Sequence, residues 1–219
     1  MEGIVEFRRE RRAAYRETFA RLALGQSPDA LFVACSDSRV VPNLFASTEP
    51  GDLFVVRNVG NLVAPCGPDG RAAGDESEAA ALEFSALVLG VRDIIVCGHS
   101  ACGAMLAFAE GRTAPGTVNL GSWLRHAQPA LERLERGEAP PGPADRIDQL
   151  SQLNVLAQLE HLRTYPFLRE REAAGSLGLH GWWFDIAEAQ VLAFEARQAR
   201  FVVIDEAEAE RILERLRGR

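Results

Sequence analysis

The strongest constraint on the fold is a set of short apolar segments that alternate with stretches of helical periodicity. Residues 30–34, 53–56 and 93–97 consist mainly of aliphatic, aromatic and cysteine side chains. Apolar runs of this length, bounded by polar residues, are typical of strands covered on both faces in a parallel sheet. Residues 177–184 and 191–194 are also strand-like. The sequence therefore predicts an α/β fold with a mostly parallel central β-sheet flanked by helices.

Helical periodicity fills the segments around these runs. Residues 4–24 alternate charged and apolar residues at helical spacing and stop at Gly25, which predicts an amphipathic N-terminal helix. Residues 76–89 form a second helical stretch, and a third is expected from Ser100 to Phe108. Further helices are expected around residues 123–124, 150–159 and 212–216.

The length of 219 residues suits one large domain with a sizeable core. We predict a single domain over residues 1–219. It comprises an N-terminal helical arm (1–25), a core with the candidate metal ligands (26–110) and the remaining helices and strands (111–219).

Charge and apolar run length exclude several classes of partner. The net charge of −7 argues against nucleic-acid binding, which usually requires a basic face. The apolar runs are far shorter than the roughly 20 residues that a membrane helix requires, so no membrane partner is expected. The mixed charges of residues 6–12 do not fit a secretory signal, which predicts a cytoplasmic protein.

Two polar motifs, residues 35–39 and 97–103, directly follow predicted strands. The carboxyl ends of parallel strands meet at one edge of a sheet, where chemistry gathers. Thiolate and imidazole groups are preferred zinc ligands, so Cys35, His99 and Cys102 are candidates for a site with an open fourth position. The alternative is a core cysteine and a histidine in a turn, with no metal.

Asp37 and Arg39 lie two residues apart, directly after Cys35. A carboxylate at this position can accept a proton or a hydrogen bond beside a metal, or can bind the metal itself. Arg39 is suited to hold that carboxylate through two hydrogen bonds and to keep it ionised. The alternative is an ion pair on the surface, which contributes little.

The remaining cysteines and histidines carry weaker signals. Cys97 ends a buried strand and is expected to be an inert core residue. Cys66 lies in a loop rich in Pro and Gly and is expected to be an ordinary thiol. His126, His161 and His180 are expected to be polar histidines on helix or strand surfaces.

The two polar motifs resemble the signature motifs of the β-carbonic anhydrases. Residues 49–58 and 90–96 resemble intervening segments of that family, and residues 165–169 and 181–185 resemble later segments of its plant-like branch. The resemblance covers residues 20–195, which is most of the chain.

The resemblance implies a carbonic anhydrase, a lyase that interconverts carbon dioxide and bicarbonate. It implies that Cys35, His99 and Cys102 bind one Zn²⁺ per chain. Asp37 and Arg39 would form the dyad that orients a zinc-bound hydroxide, the nucleophile. In a closed form known from one branch, the residue matching Asp37 binds zinc itself.

The resemblance also indicates a branch, substrate contacts and an assembly. Val40 and Arg57 match the closed branch, but that branch has tryptophan and glycine where this chain has Phe32 and Ala34. The open, plant-like branch is therefore favoured, and Gln26 matches a glutamine of that branch. A homo-oligomer, at least a dimer, is expected, with the N-terminal helix laid across its partner. Phe84 replaces a frequent tyrosine. The implied substrate-binding residues are Gln26, Phe54, Val59, Phe84 and the backbone amide of Gly103.

Two other functions fit the same motifs. One is hydrolysis of carbon disulfide or carbonyl sulfide, which differs only in the shape of the pocket. The other is a zinc-stabilised binding or bicarbonate-sensing module without turnover, in which Asp37 would permanently occupy the fourth zinc position.

Overall fold

The computed structural model describes residues 1–74, 76–111 and 114–217 of the chain. Its strands are β1 (Ala30–Cys35), β2 (Leu53–Asn58), β3 (Asp93–His99), β4 (Gly178–Asp185), β5 (Gln190–Glu195) and β6 (Arg200–Val203). They form one sheet in the order β2-β1-β3-β4-β5-β6. The first four strands in that order are parallel, whereas β5 and β6 are added antiparallel. The predicted α/β fold with a mostly parallel sheet is therefore confirmed, with an antiparallel extension that makes the sheet mixed.

Helices flank this sheet in the described part of the chain. They are α1 (Glu2–Glu6), a π-helical turn (Phe7–Arg11), α2 (Arg12–Leu22), α3 (Pro42–Phe45), α4 (Ser77–Glu83), a second π-helical turn (Phe84–Val88), α5 (Gly103–Ala109), α6 (Val118–Leu124), a 3₁₀ turn (Arg125–Ala127), α7 (Gln128–Glu135), α8 (Arg146–Arg163), α9 (Pro166–Ala173) and α10 (Glu206–Arg217).

The expected helices are present, with boundaries shifted by a few residues. The sequence did not predict α3 and β6, which have four residues each and are too short to show a period, nor α9.

Within the described residues, no helix has the length and apolar character needed to cross a lipid bilayer.

Helix α8 packs directly on β3 and β4 and is buried along most of its length. Two glycines permit this close approach. A Cβ atom on Gly98 would lie 2.7 Å from Cγ2 of Val155, and one on Gly181 would lie 2.9 Å from Cγ1 of the same residue. Both separations are shorter than real Cβ contacts allow, so the two strands require glycine where α8 crosses them.

The first prediction concerns this contact. Gly181→Ala should lower the free energy of unfolding by about 1–3 kcal/mol because the added methyl overpacks the core against Val155. Urea unfolding followed by circular dichroism would measure it. Gly121→Ala is the matched control: it lies in α6 with nothing within 4 Å of the added methyl. It should leave stability unchanged or raise it by up to about 1 kcal/mol. Equal stability of Gly181→Ala and the native protein would contradict this account of the packing.

The edge of the sheet at β2 is less covered than the sequence suggested. Residues 53–56 were predicted to be covered on both faces, but this is wrong for a single chain. Among the described strands it pairs only with β1, and Val55 is 37% exposed. The apolar composition of β2 therefore leaves an uncovered surface at this edge of the sheet.

The N-terminal helical arm forms as predicted but packs little on its own chain. None of its residues from Glu2 to Leu22 is buried. Its exposed large apolar residues include Ile4, Val5, Phe7 and Phe19. The arm leaves the body of the chain where Leu22 meets Gly51. An amphipathic helix therefore projects its apolar residues away from the core.

Candidate metal centre

Parallel pairing of β1 with β3 brings the two polar motifs together. Ala34 pairs with Cys97, so the last residue of each strand, Cys35 and His99, lies at the same edge of the sheet. Cys102 follows His99 after a short turn and is the residue that precedes α5. Ligand atoms of the three residues all lie within 4.8 Å of one another, and all three residues are buried.

The hydrogen bonds of His99 leave its Nε2 atom available to bind a metal. Its Nδ1 lies 2.9 Å from the carbonyl oxygen of Ser100, and because a carbonyl only accepts, Nδ1 carries the proton. In the neutral form of the ring, Nε2 then carries the free lone pair. It is buried and has no hydrogen-bond partner among the described residues. A buried nitrogen without a partner is costly unless something else binds its lone pair, as a metal ion does.

The two cysteines affect each other's ionisation. Cys102 lowers the pKa of the Cys35 thiol to about 4, and the backbone amide of Gly60, 3.4 Å from its sulfur, acts in the same direction. Cys35, together with burial, raises the pKa of Cys102. The cluster therefore combines a thiol that ionises readily with a second thiol that a bound cation would help to ionise. Two thiols and one imidazole are a donor set that fits Zn²⁺.

Asp37 lies beside this cluster but is held by Arg39. The Nε and Nη2 atoms of Arg39 donate to the two carboxylate oxygens at 2.9 and 2.7 Å, and the backbone amide of Arg39 adds a third bond of 3.0 Å. These bonds hold the pKa of Asp37 well below its usual range. Its Oδ2 lies 3.9 Å from Nε2 of His99. Asp37 is thus an ionised acceptor at the mouth of the cluster, engaged by Arg39.

Arg57 on β2 fixes the backbone of the same motif. Its Nε donates to the carbonyl of Cys35 at 3.1 Å and its Nη2 to the carbonyl of Asp37 at 2.7 Å. The sequence identified Arg57 only as a match to the closed branch and did not predict these bonds, because its side chain acts on a neighbouring strand. The pairing of Cys35 with Asn58 in the β1–β2 register is the cause of this proximity.

The predicted substrate-binding residues lie at different distances from the cluster, since Val59 follows the partner residue of Cys35 on β2, whereas Phe54 pairs with Leu31, four residues before Cys35. The rings of Phe54 and Phe84 are 5.9 Å apart, and Phe84 is 42% exposed. Val59 is equally exposed, and its carbonyl accepts a hydrogen bond of 2.8 Å from Nε1 of Trp123. Gly103 begins α5 directly after Cys102. The structure thus brings Phe54 and Phe84 together, and their roles stay predictions.

Gln26 lies apart from these contacts. It is exposed in the segment between α2 and β1, and no hydrogen bond among the described residues joins it to the cluster. In a single chain, therefore, neither Gln26 nor the exposed apolar residues close a pocket over the ligand atoms.

The other candidate residues lie outside the cluster. Cys97 is fully buried, and burial raises its pKa, which agrees with the predicted core role. His126 was predicted on the surface, and this is wrong: it is buried beside Trp123, with ring centroids 5.3 Å apart, and burial lowers its pKa to about 4. His161 is half-buried against the carbonyl of Val63. Since α8 covers this region, contacts distant in sequence bury both rings.

His180 and Cys66 also lie elsewhere. His180 is half-buried, with its Nε2 2.7 Å from a carboxylate oxygen of Asp93 at the start of β3, the opposite end of that strand from His99. Cys66 is half-buried in its loop, and burial raises its pKa, which disfavours the reactive thiolate form.

Fold and site together define a metalloprotein class: an α/β sheet with two thiols and one imidazole at its strand ends, beside an arginine-held carboxylate. The family model described as carbonic anhydrase matches residues 30–191. The chain belongs to the carbonic anhydrase family, and its relatives of known structure place it in the β class.

The similarity extends over nearly the whole chain. A carbonic anhydrase of Pseudomonas aeruginosa is 41% identical over 206 residues, which cover 94% of this chain and 91% of that protein. A carbonic anhydrase of Synechocystis is 38% identical and covers 92% of this chain and 72% of that protein. Among solved structures, the β-carbonic anhydrase CcaA has a TM-score of 0.84 and 38% identity, with 92% of this chain and 96% of that one covered. A tetrameric β-carbonic anhydrase of Sordaria macrospora has a TM-score of 0.75 and 31% identity, with 89% and 94% covered.

The second prediction concerns metal binding. The purified protein should hold about one zinc atom per chain, and Cys35→Ser or Cys102→Ser should reduce that content to near zero after dialysis, because each removes one of three ligands. Elemental analysis by mass spectrometry would measure it. Cys66→Ser, which removes a cysteine outside the cluster, is the control and should retain the metal. Full zinc content in Cys35→Ser would exclude this site.

Proposed function

We propose that the protein is a carbonic anhydrase that catalyses the reversible, zinc-dependent hydration of carbon dioxide to bicarbonate and a proton. The observation that carries this proposal is the buried Cys35–His99–Cys102 cluster beside a carboxylate that Arg39 holds. Zinc bound there supplies a hydroxide nucleophile near neutral pH, because it lowers the pKa of bound water from 15.7 to about 7.

The residues of the chain then have distinct tasks. Cys35, His99 and Cys102 bind the metal and leave one position open. Asp37 accepts the hydrogen bond that orients the nucleophile, so that a lone pair points at the carbon of carbon dioxide. Arg39 keeps Asp37 ionised and holds its carboxylate through two side-chain hydrogen bonds, so that Asp37 would not serve as a metal ligand.

Apolar and amide groups around the cluster would bind the substrate. Phe54, Val59 and Phe84 would provide apolar contacts for carbon dioxide; the rings of Phe54 and Phe84 lie together, and Val59 and Phe84 are exposed. Gln26 and the backbone amide of Gly103 would donate hydrogen bonds to the oxygens of bicarbonate. Phe84 lacks the hydroxyl of a tyrosine, and the loss of one such hydrogen bond weakens substrate positioning by about 0.5–1.5 kcal/mol.

The open, plant-like form is the branch that we propose. Three hydrogen bonds from Arg39 engage Asp37, which supports an open fourth position on the metal. Phe32 is fully buried and packs against Phe45 and Trp182, with centroid distances of 6.0 and 5.8 Å. Aromatic side chains thus fill the space beside β1. The same engagement of Asp37 argues against a sensing module whose fourth position is permanently occupied.

We further propose that the chain works as a homo-oligomer, at least a dimer. The arm, the β2 edge and the second π-helical turn expose large apolar side chains, among them Phe7, Phe19, Val55 and Leu87. Patches of this kind on a protein surface mark interaction sites. A partner's arm would cover the edge near Phe84 and complete the pocket that one chain leaves open. The related β-carbonic anhydrases of Sordaria macrospora are tetrameric, which supports assembly in this family.

A cytoplasmic location is proposed from the chemistry of the thiols. The metal site requires reduced cysteines, and all four cysteines are free. A reducing compartment maintains that state.

The third prediction tests the activity directly. Stopped-flow measurement should show rapid carbon dioxide hydration that rises toward alkaline pH, as more of the metal-bound water is ionised. Cys35→Ser should lower the rate on the order of 10³-fold or more, because the metal is lost. Cys66→Ser should match the native protein.

Turnover that persists near neutral pH would support the open branch. A zinc-loaded native protein without turnover at any pH would exclude the proposed activity. If the protein turned over carbon disulfide or carbonyl sulfide and not carbon dioxide, its function would be hydrolysis of these sulfur compounds.

The fourth prediction concerns assembly. Light scattering coupled to gel filtration should give at least a dimer for the native protein. Phe19→Asp should shift it toward monomer, because a charge in the arm opposes burial against a partner. Leu213→Asp is the matched control, since Leu213 on α10 is as exposed as Phe19, at 49%. It should leave the assembly intact. A native protein that stays monomeric at micromolar concentration would refute the dimer.

A further inference from the structure

The turn between two of the metal ligands contains a backbone conformation that needs support. Ala101, between His99 and Cys102, has a φ of 50°, in the left-handed region. A residue with a Cβ atom adopts this region at a cost, and the conformation persists where surrounding groups hold it. Relaxation of Ala101 would rotate the chain that leads from His99 to Cys102. The geometry of the metal site therefore depends on whatever holds this residue.

Two side chains hold Ala101, one at each end. Its backbone amide donates a hydrogen bond of 2.7 Å to Oδ1 of Asp148, and its carbonyl accepts one of 3.1 Å from Nη2 of Arg39. Asp148 is placed for this contact by the start of α8. Asp145 precedes that helix and accepts hydrogen bonds from the amides of Ile147 and Asp148. The carboxylate of Asp148 thus extends from a capped, rigid helix end.

The same face of α8 continues this role along the helix. Ser151, one turn after Asp148, donates to the carbonyl of His99 at 2.8 Å. Asn154 follows at the same spacing and donates to the carbonyl of Gly60 at 3.0 Å. The amide of Gly60 in turn contacts the sulfur of Cys35. One row of polar side chains on α8 therefore holds the backbone of both segments that carry ligands.

We propose that Asp148 is a positioning residue of the metal site, which holds the Ala101 peptide in its left-handed conformation and so sets Cys102 relative to His99. This inference rests on the proposed function, because it assumes that zinc binds at the cluster. Asp148 is not part of the cluster of candidate ligands, and it acts through its hydrogen bond to the Ala101 backbone.

Two substitutions of Asp148 distinguish the effect of its hydrogen bond from the effect of its negative charge. Asp148→Ala removes the acceptor, so the Ala101 amide loses its partner and the turn samples other conformations. Asp148→Asn keeps an acceptor oxygen at the same position and removes only the charge. If the hydrogen bond is what matters, asparagine preserves the site and alanine does not.

The fifth prediction uses two readouts that do not depend on turnover. The first is the zinc dissociation constant, from competition with a chromophoric chelator; the second is the absorption spectrum of the cobalt-substituted protein, which reports ligand geometry. Asp148→Ala should weaken zinc binding about 10–100-fold, as loss of a group supporting a metal ligand does, and should alter the cobalt bands. Asp148→Asn should stay within about threefold of the native protein, with an unchanged spectrum.

Gln149→Ala is the matched control. Gln149 is the next residue of α8, and its Nε2 donates to a backbone carbonyl, that of Pro143, at 2.9 Å in a loop that carries no ligand. This variant should stay within about threefold of the native zinc affinity. Thermal unfolding of the metal-free proteins should give similar midpoints for Asp148→Ala and Gln149→Ala, which separates positioning from general destabilisation.

Three results would overturn the inference. The first is native zinc affinity and an unchanged cobalt spectrum in Asp148→Ala. The second is an equal loss in Asp148→Asn, which would assign the effect to charge, and the third is an equal loss in Gln149→Ala. A native protein that binds zinc but does not hydrate carbon dioxide would refute the proposed function and leave this test valid.

Discussion

Parallel hydrogen bonding between β1 and β3 is the interaction on which the site depends. It places the ends of two strands, Cys35 and His99, side by side although 63 residues lie between them along the sequence. A slip of one residue would turn one of these side chains to the opposite face of the sheet. The buried apolar side chains of both strands prevent that slip, because it would also move them out of their core clusters. The hydrophobic effect thus fixes the position of polar ligands.

Helix α8 both packs apolar residues into the core and buries polar residues, two requirements that usually conflict. It packs apolar residues such as Val155 and Leu159 against the sheet, and it also buries polar side chains, among them Ser151, Asn154 and Gln158. Burial of such groups is tolerated when each finds a partner, and here the partners are backbone groups of the loops beside the metal site. Stability of the core and precision of the site therefore come from one element.

The sequence was most informative where structure is determined locally. The parallel strands were predictable because apolar runs can be identified from neighbouring residues. The Cys35–His99–Cys102 cluster was predictable because the ends of parallel strands meet at one edge of a sheet and because the two motifs resemble the signature motifs of a known family. Contacts that join distant segments were not predictable in this way. The burial of His126 depends on α8, and the bond from Asp148 to Ala101 spans 47 positions. The sequence did contain one indication that Asp148 faces the core. It lies at helical spacing from Ser151 and Val155, which belong to a helix that was predicted.

The exposed N-terminal helix has a thermodynamic consequence. Isolated helices of this length are marginal in water, since tertiary packing normally supplies most of their stability. From Glu2 to Leu22 this helix has no buried residue within its own chain. In the proposed oligomer its order would be linked to burial against the partner, and mass action would make that order depend on protein concentration. Dilution would therefore unfold the arm at protein concentrations at which the sheet stays folded.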